Sequence, residues 1–128
     1  MTAGPLSPEL RAFLHEYIKS VEQAEILLLL FRTSPRESNA VRVGRELRID
    51  AVSAARRLGD LQAAGLLSAR IEDVTLQYWY EGALDPLVRE LAQEFAERPT
   101  TVSSAIYAAP TDDVRAFADA FRVRGKPK

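Results

Sequence analysis

The sequence predicts a mainly α-helical protein with one small β-hairpin, arranged as a winged helix-turn-helix with flanking N- and C-terminal helices. Apolar residues recur at helical spacing along most of the 128-residue chain. A pair of short helical segments between Val41 and Gly65 is followed at once by residues 66–81, where apolar residues alternate. Two helices and then a hairpin are the order of a winged helix-turn-helix, whose core is predicted over 21–81 in a single domain spanning 7–124.

Two helices are predicted before the helix-turn-helix. Residues 1–6 are expected to be a flexible end, and Ser7 is a good N-cap for a helix over residues 8–19. The next segment, residues 21–33, is apolar nearly all round, which is typical of a buried central helix. Pro35 is expected to prevent its continuation.

The helix-turn-helix itself is predicted from its caps and glycines. Gly44 is expected where the two helices approach each other closely, Asp50 is a good N-cap for the second helix, and Gly65 is expected to end that helix. The apolar anchors expected around the first helix are Val41, Leu47 and Ile49. The buried stripe expected on the second helix is Ala54, Leu58 and Leu61.

The predicted wing has two faces. One face carries Val74, Leu76, Tyr78 and Tyr80, and the other carries Thr75, Gln77 and Trp79. Trp79 has two interpretations that the sequence leaves open. It is either an aromatic anchor for a partner or a second subunit, or ordinary core beneath the C-terminal helices.

Residues 84–124 are predicted to form helices interrupted by Pro99 and by Pro110, followed by a basic tail at 125–128. The last of these helices, over 114–124, is amphipathic, and it is expected to pack on its own domain or on a twin subunit. Its apolar side chains include Phe117 and Phe121, one turn apart.

Composition excludes several classes of function. The chain has no Cys and one His, His15, and it carries no phosphate-binding glycine loop or nucleophile with a placed base, so we expect no enzyme, no metal and no cofactor. The longest apolar run, residues 26–31, is far shorter than the roughly 20 residues of a membrane span. We therefore expect a soluble, cytoplasmic protein without a membrane partner.

Charge is segregated along the chain although the formal net charge is only −1. Residues 32–70 contain eight Arg against four acidic residues, whereas residues 71–119 contain three Arg against ten acidic residues. Positive charge thus coincides with the helix-turn-helix, as binding to phosphates requires. The alternative is that these arginines are a solvated helix face or pair with the nearby acids Glu46, Asp50 and Asp60.

The run Leu58-Gly-Asp-Leu-Gln-Ala-Ala-Gly-Leu-Leu67 resembles the end of the recognition helix in bacterial winged-helix regulators of the MarR, ArsR and PadR kind. The similarity covers about residues 21–81, and the helices outside it match the MarR plan, in which flanking helices pair two subunits. It implies a DNA-binding transcriptional regulator, acting as a homodimer on duplex DNA.

The resemblance also implies roles for individual residues. The outward N-terminal part of the recognition helix would carry Val52, Ser53, Ala55 and Arg56, and Arg56 can bond a guanine at two points. Arg57 and Arg70 would meet phosphates. Backbone contacts that set orientation would come from Arg42, Arg45 and Arg48.

The predicted wing departs from these families. Glu72 and Asp73 occupy its tip, and Asp60 lies late in the recognition helix, where relatives usually carry basic residues. A second function therefore stays open, namely a winged-helix module that holds a protein partner and does not bind DNA.

Overall fold

The computed structural model describes residues 4–108 and Arg115. Within these residues the chain forms six helices and one two-stranded antiparallel sheet. The elements are α1 (Pro8–Tyr17), α2 (Val21–Arg32), α3 (Ala40–Leu47), α4 (Ala51–Ala63), β1 (Leu67–Glu72), β2 (Thr75–Tyr80), α5 (Asp85–Glu97) and α6 (Pro99–Tyr107). The mainly helical fold with one hairpin is confirmed. The helix predicted over 114–124, with Phe117 and Phe121, lies outside the described residues.

The chain divides into two compact units. One consists of Met1–Val21 and Asp85–Lys128, and its described part contains α1, α5 and α6. The other is Glu22–Leu84, which contains nearly all of α2 together with α3, α4 and the hairpin. The second unit is the winged helix.

In the first unit, α1 packs against α5 and α6. The Ser7 hydroxyl accepts the Leu10 N–H at 3.1 Å, as its predicted role as N-cap requires, and donates to Glu90 of α5 at 2.7 Å. In the end predicted to be flexible at 1–6, Leu6 is buried and the Gly4 carbonyl accepts a hydrogen bond from Arg98. The apolar side chain of Leu6 is removed from water by this packing.

In the second unit, α3 and α4 form the helix-turn-helix. The buried apolar residue on α3 is Val43, whereas Val41, predicted as an anchor, is 58% exposed. The inner face of α3 is the one that carries Ala40, Val43 and Leu47, at helical spacings of three and four residues. Val41, one residue after Ala40, therefore lies on a different side of the helix. Gly44 is confirmed at the close approach, because a Cβ there would lie 2.9 Å from the Ile49 carbonyl oxygen.

The buried stripe and the end of α4 both follow the prediction. The stripe residues are fully buried: Ala54, Leu58 and Leu61. Gly65 has a φ of 86°, and the Leu66 N–H donates to the Leu61 carbonyl at 3.0 Å. This is a Schellman ending, which needs the left-handed conformation that glycine adopts without steric cost.

The hairpin pairs Leu67 with Tyr80 at its base and Glu72 with Thr75 at its tip. The two residues of the turn, Asp73 and Val74, have φ angles of 49° and 61°, which defines a type I′ turn. On the face that carries Val74, Leu76, Tyr78 and Tyr80, burial is confined to Tyr78, near the base. Towards the tip Val74 is 98% exposed.

Among the described residues, no helix is both long enough and apolar enough to cross a membrane.

Candidate nucleic-acid interface

The beginning of α4 is held by its cap. The Asp50 carboxylate accepts hydrogen bonds from the backbone N–H groups of Val52 at 2.9 Å and Ser53 at 3.1 Å, as the sequence predicts. An N-cap of this kind satisfies backbone donors that have no partner inside the helix. The first turn of α4 is therefore ordered, and its outward side chains are presented from a defined backbone.

The outward face of α4 follows from its buried stripe. Successive residues are about 100° apart around a helix, so Val52 and Arg56 lie opposite the side that buries Ala54 and Leu58. Both are exposed, Val52 to 68%. The next outward position is Gly59, where an added Cβ would meet no atom within 4 Å. Packing within the described chain therefore does not explain this glycine.

Arginines of α3 lie exposed beside this helix in the same unit. Arg42 and Arg45 are one turn apart, and Arg48 is the C-cap, with a left-handed φ of 59°. Within residues 4–108 none of these three, nor Arg56, forms an ion pair. Among the described residues, these four guanidinium groups of the helix-turn-helix therefore have no carboxylate partner.

Arg57 and Ser53 have a different environment. Both donate to the same oxygen of Glu22, near the beginning of α2, from Ser53 Oγ at 2.6 Å and from Arg57 Nε at 3.1 Å. The side chains of Glu22 and Arg57 are each only 28% exposed. The hydrogen bond from Ser53, and then that from Arg57, lower the pKa of the Glu22 carboxyl.

Arg70 is also paired. Its guanidinium bonds both carboxylate oxygens of Glu37, at 2.9 Å and 3.3 Å, and it also donates to Glu72 at 3.1 Å. These carboxylates, Glu37 foremost, raise the pKa of Arg70. The pair is exposed, so its net contribution to stability is small.

The acids that pair with the predicted site were not the ones expected. The sequence pointed to Glu46, Asp50 and Asp60, whereas in the described residues the ion pairs of these arginines are with Glu22, Glu37 and Glu72. Glu22 and Glu37 are more than 30 residues from their partners along the chain, and no spacing rule relates them. Asp50 instead uses its carboxylate as the cap of α4.

The wing is acidic and apolar at its end. Glu72 and Asp73 are exposed, as are Ile71 and Val74.

Trp79 lies opposite Ser68 on the paired strand. It is half-buried, which is intermediate between the exposed anchor and the core residue that the sequence left open. In the described part of the chain, the His and acidic side chains form no group of three or more that could hold a metal ion.

Comparison with solved structures identifies this architecture. The chain is similar to ZitR of Lactococcus lactis, a zinc-responsive MarR family member, with 16% identity and a TM-score of 0.51 over 81% of this chain and 72% of ZitR. It is also similar to a mutant of S. aureus MepR bound to an oligodeoxyribonucleotide, with 14% identity and a TM-score of 0.54 over 91% of this chain and 88% of MepR.

A third similar structure is BpsR of Bordetella bronchiseptica, whose DNA binding is regulated by 6-hydroxynicotinic acid. The identity is 18% and the TM-score 0.53, over 90% of this chain and 84% of BpsR. No protein-family model matches the sequence, and no curated protein matches it either. At these identities the structural similarity establishes the winged-helix fold, and function is a separate inference.

Proposed function

We propose that this protein is a DNA-binding transcriptional regulator that uses α3 and α4 to contact duplex DNA. The observation that carries the proposal is the set of exposed arginines without an ion pair in the described helix-turn-helix: Arg42, Arg45, Arg48 and Arg56. Guanidinium groups free of carboxylates can replace the counterions of phosphates, which is the main source of affinity for DNA.

The roles proposed for these residues differ. Arg56, on the outward face of α4 one turn after Val52, is the side chain that would reach a base edge, where it can bond a guanine at two points. Arg42, Arg45 and Arg48 would bind phosphates and orient the helix without reading sequence. The similarity to a MepR structure that contains an oligodeoxyribonucleotide supports the same use of the fold.

We further propose that the protein acts as a homodimer in the cytoplasm of a bacterium. The support is the amphipathic pattern of residues 114–124, with Phe117 and Phe121, and the bacterial origin of the similar regulators. Two recognition helices related by twofold symmetry would bind half-sites about one helical turn apart. Sedimentation equilibrium of the whole chain tests this, and a monomer at all concentrations would contradict it.

The central experiment selects bound sequences from random duplex DNA and then measures affinity for the selected duplex at several salt concentrations. Arg56→Ala should lower affinity and relax the preference for one base pair, with a cost of about 1–3 kcal/mol. Arg45→Ala should weaken binding to all sequences alike, because it removes a phosphate contact.

Arg89→Ala is a matched control. It removes the same charge from an arginine of α5 that is paired with Asp85, and it should leave both affinity and base preference unchanged. If the selection yields no enriched sequence and binding does not depend on salt, the DNA-binding proposal fails. The function as a module for a protein partner would then be favoured.

A further inference from the structure

Glu22 makes two contacts with the recognition helix from a different helix. Its Oε1 atom accepts from Ser53 Oγ at 2.6 Å and from Arg57 Nε at 3.1 Å. Ser53 and Arg57 are four residues apart and therefore follow each other on one side of α4. A single carboxylate near the beginning of α2 thus holds two successive turns of α4.

The environment strengthens these contacts. Glu22 and Arg57 each expose only 28% of the side chain, so the pair is less screened by water than a fully exposed one. Charge-assisted hydrogen bonds are also stronger than neutral ones. The lowered pKa of Glu22 is consistent with a carboxylate that stays ionised in this position.

Arg56 and Arg57 are adjacent in sequence but differ in their partners. Arg56 is exposed on the outward face, and within residues 4–108 no carboxylate pairs with it. Arg57 lies on the flank of α4, between the outward face and the buried stripe, and its charge is balanced by Glu22. The sequence does not distinguish these two arginines, and the contact of Arg57 with Glu22 is what makes their environments different.

We propose that Glu22 is a positioning residue for DNA recognition, which fixes the orientation of α4 through Ser53 and Arg57 and withdraws Arg57 from the phosphate-binding surface. The phosphate and base contacts of α4 then come from Arg56. This inference rests on the proposed DNA binding. It also revises the role that the resemblance implies for Ser53 and Arg57, which become structural links and not contacts with DNA.

The test measures how affinity for the selected duplex falls as salt rises, because each phosphate contact contributes about 0.9 to the slope of log affinity against log salt. Arg57→Ala should leave this slope at the wild-type value. Glu22→Ala removes the acceptor of both hydrogen bonds, so it should free Arg57 and steepen the slope by about one contact, which is an additional loss of roughly 3.5-fold in affinity between 50 and 200 mM salt.

Arg57→Lys is the conservative variant. It keeps the charge facing Glu22 and should retain the wild-type slope. A decrease in slope for Arg57→Ala would overturn the proposal, since it means that Arg57 already contacts phosphate. An unchanged slope for Glu22→Ala would overturn it as well, since it means that Glu22 does not restrain Arg57.

A measurement without DNA tests the positioning contact separately. Thermal unfolding of Glu22→Ala, Arg57→Ala and the double variant should show non-additive changes in stability, because the two residues interact directly. Additive changes would refute the contact. Wild-type protein that binds DNA without any salt dependence would instead overturn the proposed function itself, before the variants are compared.

Discussion

Two glycines of the helix-turn-helix should respond in opposite directions to the same substitution. Gly59 is on the outward side of α4, and a Cβ there would meet no atom within 4 Å. Gly44 is on the inner side of α3, and a Cβ there would lie 2.9 Å from the Ile49 carbonyl oxygen. Both substitutions to Ala replace glycine inside a helix, so the difference between them isolates the effect of the contact.

The expected magnitudes follow from these distances. Gly59→Ala should raise the free energy of unfolding by about 1 kcal/mol, which is the difference in helix propensity between Ala and Gly. For a chain of 128 residues this corresponds to an increase in Tm of about 3 to 4 °C. Gly44→Ala gains the same propensity but must displace the backbone of the turn, at a cost of about 1–3 kcal/mol. We expect a net destabilisation of about 1 kcal/mol.

Urea denaturation followed by far-UV circular dichroism measures both changes, and equal m-values would show that the variants unfold in the same way as the wild type. Stabilisation by Gly44→Ala would refute the argument that this glycine is required by the approach of α3 to the turn. A decrease in stability for Gly59→Ala would mean that an atom occupies the space beside Gly59.

Two further predictions concern the wing and pH. Val74→Gly should raise the free energy of unfolding by about 0.5–1 kcal/mol, because a β-branched residue is strained at the φ of 61° in this turn. Val74→Ala keeps a Cβ and serves as the control in the same urea titration, where a gain equal to that of Gly would contradict the argument. The lowered pKa of Glu22 predicts stability that is present above the ordinary glutamate pKa of about 4.3 and lost as the pH falls through the lowered value. Glu22→Gln should flatten this decline in thermal unfolding series taken towards acid pH, and an unchanged decline would show that other carboxyl groups cause it.

Much of the local structure was predictable because it depends on neighbouring residues. The Asp50 cap and the Gly65 ending each involve residues within one or two turns of helix. Their positions were identified from residue type and spacing alone. The wrong prediction for Val41 also concerned local spacing. Two helical patterns include Leu47, and the one that α3 adopts begins at Ala40 and includes Val43.

The candidate site was only partly predictable. The exposed arginines of α3, together with Arg56, were identified from the charge pattern. Which arginines form ion pairs could not be predicted, since it depends on the carboxylates that lie nearby in the folded chain. Arg57 meets Glu22 and Arg70 meets Glu37, at separations of 35 and 33 residues. Contacts at such distances along the chain follow from how whole elements pack.

The sequence by itself therefore determined the order of the elements, the caps at Ser7 and Asp50 and the basic character of the helix-turn-helix. Each of these depends on local sterics, on hydrogen bonding of nearby backbone groups or on a simple count of charges. Only the tertiary structure decided which arginines are neutralised, because that depends on α2 lying beside α4 and on the loop before α3 meeting β1. Arg56 and Arg57 are one peptide bond apart in the sequence, yet a carboxylate contributed by another helix pairs with Arg57, whereas no carboxylate of the described residues pairs with Arg56.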